Sequence, residues 1–273
     1  MFEYLKFKLS LLLKKPYFGP IMAAKMGRVV RHGYMSKLIE LECKQKSSYA
    51  KASKDEYFVL EIGSWAGGST ITFAEAIKKF NKGKGKLIAV DAWQSFHGNE
   101  HIEKPSHLIM EKALKDGKIF NLFLHNIRSA GVSDIVEIKK GWSRDVLPTL
   151  PKEFFDLIFI DGSHFYKDVL LDLKNSALLL KDGGVICGDD LELQFNEVDA
   201  DFLAQSKDND TLRDPALKKD YHPGVSLAVY EFFGGTVSSW KGFWAMRKTD
   251  NGWEKINYSE MDESKVEIPK HLK

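Results

Sequence analysis

The feature that most constrains the fold is a series of five short apolar segments, each running out into a glycine or an aspartate and each followed by polar or helix-like chain. They are YFVLEIG (57–63), KLIAVDAW (86–93), DIVEIKKG (134–141), FDLIFIDG (155–162) and GGVICGDD (183–190). Most are apolar on consecutive residues rather than alternate ones, which suits parallel strands covered on both faces. Between them, STITFAEAIKKF, SHLIMEKALKDGKIFNLFLHNIRSAG and FYKDVLLDLKNSALLL carry the three and four spacing of helices, the second with a break near Gly117. Such alternation predicts an α/β chain with a doubly wound, mostly parallel sheet. HPGVSLAVYEFFGG reads as a helix entered by Pro223. VSSWKGFWAMRK and GWEKINY add a C-terminal antiparallel hairpin, for seven strands in all. Upstream, Met35, Leu38, Ile39 and Leu41 have helical spacing, so residues 1–50 are expected to be an N-terminal helical extension. The polar stretch QKSSYAKASKDE (45–56) leads into one main domain, 51–273.

Composition narrows the class of partner. Forty basic against 38 acidic residues leave a net charge of +2, too balanced for nucleic acid to be the main partner. A 44% hydrophobic and 29% charged composition is that of a soluble globular protein. The two cysteines, Cys43 and Cys187, read as buried thiols in a reducing, cytoplasmic setting. The N-terminal MFEYLKFKLSLLLKK has LSLLL as its longest apolar run and no small-residue cleavage site before Pro16, so it reads as neither signal peptide nor transmembrane span. It is expected to be a helix packed on the domain or on a second copy in a homo-oligomer, the alternative being a basic amphipathic helix lying on a membrane surface.

In a parallel sheet, ligands sit beyond the carboxyl ends of the strands. The first strand runs into EIGSWAGGST (61–70) and directly into a helix. Its glycines permit a tight turn and close approach of backbone to a ligand, and the helix start offers unpaired N–H groups. A dinucleotide fingerprint needs glycine at 63, 65 and 68, but position 65 is Trp65, and no Gly-Lys-Ser/Thr follows for a phosphate loop. Asp91, at the end of the second strand, is an acid placed for the two hydroxyls of a ribose. A nucleoside cofactor without a pyrophosphate fits this pair of features, and S-adenosylmethionine is such a molecule.

EIGSWAGGST, AVDAW, GWSRDVLP and FDLIFIDGSHFYKDVLLDLKNSALLLKDGGVICGDD together resemble a class I S-adenosylmethionine-dependent methyltransferase, with its Rossmann-like sheet. They are most similar to the macrocin O-methyltransferase-like group and more distantly to catechol O-methyltransferases. The resemblance implies that the loop residues Glu61, Gly63, Ser64, Trp65, Gly67 and Ser69 bind the cofactor, with Gly63 and Ser69 at its methionine end. It places Asp91 at the ribose and Trp142 and Ser143 at the adenine. An indole also offers a purine an apolar face independently of any family.

Asp161 ends the fourth strand and Asp189 with Asp190 end the fifth. Three converging carboxylates raise one another's pKa unless a cation neutralises them, and a hard divalent ion such as Mg²⁺ is the economical answer. The resemblance points to the same three residues, except that catechol enzymes carry Asp-Asn where this chain has Asp-Asp. His164, three residues after Asp161, is the candidate base and Asp161 its catalytic neighbour, also facing the cofactor. The long acidic segment between Asp190 and Pro223 is expected to be a lid or substrate wall. His97, His101 and His107 read as solvated or substrate-facing, and the tryptophans offer faces to a sugar. The expected activity is therefore O-methylation of a small glycosylated or polyhydroxyl molecule. The competing readings are an NAD-linked or nucleotide-sugar oxidoreductase and a non-catalytic adenosine-ligand-binding protein.

Overall fold

The computed structural model of the chain describes residues 1–49, 56–95 and 105–273. Helices α1 (Phe2–Leu12) and α2 (Val30–Tyr49) precede strand β1 (Tyr57–Ile62). Helix α3 (Gly68–Phe80), strand β2 (Gly85–Asp91), helices α4 (Pro105–Lys115) and α5 (Lys118–Ser129) and strand β3 (Val136–Lys140) follow. Next come the short helix α6 (Ser143–Val146), strand β4 (Phe155–Ile160), helix α7 (Tyr166–Leu179), strand β5 (Leu180–Gly188) and helix α8 (Ala200–Ser206). The chain ends with the two-residue strands β6 (Leu212–Arg213) and β7 (Asp220–Tyr221), helix α9 (Pro223–Phe233) and strands β8 (Ser238–Trp240), β9 (Phe243–Thr249) and β10 (Gly252–Lys255).

The main sheet has the order β10-β9-β5-β4-β1-β2-β3, with β8 also paired to β9. Strands β1 to β5 are parallel and β9 runs antiparallel to β5. The sheet therefore has eight strands where seven were expected, because VSSW forms its own ladder on β9 beside that of GWEK. From β1 the chain winds one way to β2 and β3, then returns to β4 and β5 on the other side. The crevice of a doubly wound sheet opens at that reversal, between the ends of β1 and β4.

Alternate strand residues feed the two faces, as the two-residue side-chain period requires. Val59, Leu157 and Phe159 pack with α2, α3 and α5, while Leu60, Ile62, Ile158 and Ile160 pack with α7 and α9. Phe159 is fully buried, with its ring centroid 5.2 Å from that of Phe73 on α3, and burial of such a side chain contributes about 1.5–3 kcal/mol. Gly117, at φ +62, separates α4 from α5 where the break was expected. Pro223 opens α9 and Gly234, at φ +68, closes it.

The N-terminal region departs from a simple appendage followed by a linker. Helix α2 continues through Gln45 to Tyr49, so the polar stretch begins as helix, and residues 50–55 lie outside the described residues. Tyr34, Met35, Leu38 and Ile39 belong to the same buried cluster as β1 and α3, so α2 is a layer of the core.

Candidate active site

The end of β1 is shaped by a contact only glycine permits. Gly63 has φ +89, and a Cβ there would lie 2.0 Å from the Asp161 carbonyl oxygen. Without a side chain, the ends of β1 and β4 close on each other and bring the glycine loop beside Asp161. The loop is then held by two carboxylates, the half-buried Asp91 and the fully buried Glu61. Asp91 Oδ2 accepts the backbone N–H groups of Ser64 and Trp65, each at 2.9 Å, and its Oδ1 accepts that of Trp93 at 2.6 Å. Glu61 accepts from the Ser64 hydroxyl at 2.7 Å and the Thr70 hydroxyl at 2.5 Å, and burial pushes its pKa up to about 7.

A cavity of about 460 Å³ opens beyond these strand ends, within the range of small-molecule sites. Gly63, Trp65, Asp91, Trp142, Ser143, Asp161 and His164 line it. Glu61, Ser64, Gly67 and Ser69 do not line it. They shape the loop from behind, through the Glu61 hydrogen bonds and the left-handed turn of Gly67 at φ +86. The Arg144 guanidinium stands 5.2 Å from the Trp142 ring centroid. Met110 and Leu114 of α4 supply an apolar wall, with His107 beside them. His97 and His101 lie outside the described residues. Trp93 and Trp244 are buried in the core, so these two cannot offer a face to a sugar.

Several cavity residues escaped the sequence reading, Asp172 and Asp210 among them. Asp172 of α7 lines the cavity although only 3% of it is exposed, hydrogen-bonds Ser143, and is pushed by burial to a pKa of about 7. A signal was present: Val169, Asp172, Leu173 and Ser176 form the inward stripe of α7, and an aspartate on such a stripe is out of place.

At the end of β5, Gly188 lies between β4 and β9, where a Cβ would come within 2.5 Å of the Trp244 ring. The following Asp189 and Asp190 do meet a cation, but it comes from the chain itself. Arg31 of α2 places Nη1 2.5 Å from Asp189 Oδ1 and 3.1 Å from Asp190 Oδ1, bonds Glu192 through Nη2, and donates from Nε to the Lys241 carbonyl at 2.8 Å. No sequence pattern announced this partner.

Beyond Arg31 the charges continue as a chain of imidazoles and carboxylates. His164 Nε2 is 3.0 Å from Asp190 Oδ2 and its Nδ1 is 2.7 Å from Asp210 Oδ1. His222 Nδ1 lies 3.0 Å from Glu192 Oε2, with its ring centroid 4.3 Å from that of His164. Burial favours a neutral His164, yet Asp190 and Asp210 together raise its pKa well above the ordinary value. The reverse holds at Asp190 and Asp210. Burial raises both carboxyls, but the His164 charge holds each below the usual range. Asp161 goes the other way, raised by burial and by the Asp190 and Asp189 charges. Burial and Asp190 likewise push Asp189 up to about 7 despite Arg31.

The expected trio of Asp161, Asp189 and Asp190 is thus divided. Donor atoms of Asp161, His164 and Asp190 lie within 4.8 Å of one another, whereas Asp189 is turned to Arg31. From the long segment after Asp190, Asp210 reaches the cavity, with its Oδ2 3.3 Å from His107 Nε2.

Residues 60–191, which include the glycine loop, Asp91, Asp161 and the aspartate pair, match a family model described as a methyltransferase domain. These residues form a methyltransferase domain of the class I S-adenosylmethionine-dependent kind. The chain is 27% identical over 187 residues to a catechol O-methyltransferase of Mycobacterium tuberculosis, covering 68% of this chain and 69% of that protein. Its fold is similar to that of the O-methyltransferase NovP, with a TM-score of 0.53 at 15% identity over 79% of this chain and 80% of that one. The domain match disfavours an oxidoreductase, as Trp65 in the glycine loop does on chemical grounds. Among the described residues, no helix of the methyltransferase is long and apolar enough to cross a membrane.

Proposed function

We propose that this methyltransferase transfers a methyl group from S-adenosylmethionine to a hydroxyl oxygen of a small sugar-containing or polyhydroxyl molecule. The observation that carries the reading is the meeting, in one cavity, of the glycine loop and Trp142 with the side chains of Asp161 and His164. Both compared proteins bear the name O-methyltransferase, which supports oxygen as the acceptor atom. In this reading Gly63, Trp65 and Asp91 border the methionine and ribose portions and Trp142 and Ser143 the adenine. Glu61, Ser64, Gly67 and Ser69 act on the cofactor through the shape of the loop.

Methyl transfer leaves a neutral thioether and needs no acid there, but it does need an acceptor oxygen freed of its proton. Asp161 and His164 are the groups that can receive that proton. Asp161 lines the cavity, has raised proton affinity, and has no side-chain partner among the described residues. Asp190 and Asp210 raise the proton affinity of His164, which receives a proton only when its ring is neutral. The carboxylate of Asp161, converging with His164 and Asp190 and otherwise unpartnered, fits a divalent cation. Such an ion would supply Lewis acidity toward the acceptor hydroxyl. Asp189, on Arg31, would orient the neighbouring Asp190.

Calorimetric titration with S-adenosylhomocysteine and with NADH, followed by a screen of acceptors with methyl-labelled cofactor, tests the reading. Label on a hydroxyl oxygen is the expected result. Label confined to nitrogen, sulfur or carbon acceptors refutes O-methylation.

A further inference from the structure

The first 15 residues carry chemistry that the methyltransferase site does not use. Helix α1 faces inward through Phe7, whose ring meets Tyr17 edge-on at 5.1 Å. Phe2, Leu5, Leu9, Leu12 and the following Leu13 face outward, with 69, 65, 49, 78 and 53% of their surfaces exposed. At about 100° per residue these five fall on one stripe roughly 100° wide. By the same spacing Lys6 and Lys8 stand at its two edges, Lys14 and Lys15 follow its end, and all four are exposed. Glu3 is the one acidic residue among residues 1–15, and Lys6 already binds it at 2.9 Å.

A continuous apolar stripe of this kind, rimmed by cations, marks a contact surface. Charge decides between its occupants. Pairing with α1 of a second copy would set lysines against lysines, with Glu3 alone to offset them. Anionic phosphates would instead meet the lysines on both edges while the acyl boundary takes the apolar stripe, as for helices that lie in the membrane interface.

We propose that α1 docks the protein on the surface of an anionic lipid bilayer. Phe2, Leu5, Leu9, Leu12 and Leu13 enter the headgroup boundary, and Lys6, Lys8, Lys14 and Lys15 bind the lipid phosphates. An eleven-residue helix is about 16 Å long, so it lies on the bilayer and does not span it.

The test is co-sedimentation of the full chain with vesicles of phosphatidylcholine containing phosphatidylserine, and with vesicles of phosphatidylcholine alone, at low and high salt. Sedimentation velocity without lipid is run alongside. The expected result is binding to the anionic vesicles that weakens with salt. It falls by about fivefold or more per lysine in Lys6→Glu/Lys8→Glu and is lost in Leu5→Ser/Leu9→Ser. Both variants should keep the wild-type affinity for S-adenosylhomocysteine by calorimetry, showing that they fold. Failure of the wild type to bind, or equal binding to both kinds of vesicle, overturns the proposal. So does a dimer that Leu5→Ser/Leu9→Ser converts to monomer, since a second copy then covers the stripe.

Discussion

Replacing Arg31 by methionine keeps much of the apolar stem and removes the guanidinium that three carboxylates share. Nη1 lies 2.5 Å from Asp189 and 3.1 Å from Asp190, Nη2 bonds Glu192, and the four side chains are only 6, 15, 19 and 7% exposed. Removing one partner of a buried ion pair typically destabilises by about 3–5 kcal/mol, because the other charge is left in low dielectric. Asp190 and Glu192 keep His164 and His222, and Asp189 can escape by taking up a proton, so the total stays in that range of about 3–5 kcal/mol near pH 7.5. That corresponds to a fall in Tm of roughly 10 °C. The pH dependence is more diagnostic than the size. Without Arg31 the folded-state pKa of Asp189, already pushed up to about 7, rises further above the unfolded value of about 3.9, while His164 and His222 still hold Asp190 and Glu192 down. A carboxyl with a raised folded pKa penalises folding increasingly as pH climbs from the unfolded to the folded value. The deficit relative to the wild type should therefore grow as pH rises through about 7, measured by urea denaturation of both proteins from about pH 5 to about pH 9. A loss below about 1 kcal/mol at pH 7.5, or one that does not change with pH, refutes the account, since surface pairs behave that way.

Other expectations follow from the same geometry. Trp142→Ala should weaken S-adenosylhomocysteine binding by about 5- to 150-fold, the value of one base-aromatic stack, as read by calorimetry. Asp161→Asn should lower turnover by about 10²-fold or more while cofactor affinity changes little, and unchanged turnover would remove Asp161 from the proton path. His164→Gln should cost stability most where the His164–Asp210 pair is fully charged. The raised His164 pKa keeps its contribution whole below about pH 6.5 and loses it as pH rises through the folded value. The depressed Asp210 pKa keeps its contribution whole above about pH 3.9, so the deficit in urea titrations should peak between those limits and shrink above them. Gly63→Ala should abolish cofactor binding or folding, because its Cβ would meet the Asp161 carbonyl, and normal thermal stability of that variant would contradict the packing described.

What the sequence discloses and withholds follows from the range of the forces involved. The strands were legible because burial on both faces writes a local apolar run, as in Phe155–Ile160, and the glycine loop because φ +89 at Gly63 admits little else. Charge neutralisation leaves no local mark. Arg31 and Asp190 are 159 residues apart, and nothing around Arg31 in a helical stretch distinguishes it from a surface arginine. Asp91 shows a subtler limit. A carboxylate at the end of β2 was legible, but its engagement by three backbone amides of this and the neighbouring loop depends on register between strands. Its access to the cavity depends on the same register. Asp210 belongs to a long irregular segment whose path is set by the imidazole it meets.

The aspartate pair is held from both extremities of the chain. Arg31 lies in the second helix, its Nε rests on the Lys241 carbonyl, Leu191 N–H bonds the Gly242 carbonyl, and the Trp244 indole donates to the Asp189 carbonyl at 3.2 Å. A chain made only as far as β5 would already contain the glycine loop, Asp91, Trp142, Asp161 and His164, but not Asp210, His222 or the β9 residues that hold the aspartate pair. Translation must pass β9 before Asp189 and Asp190 acquire their neighbours. The last-made strands thus hold the aspartate pair, although its own residues are made much earlier.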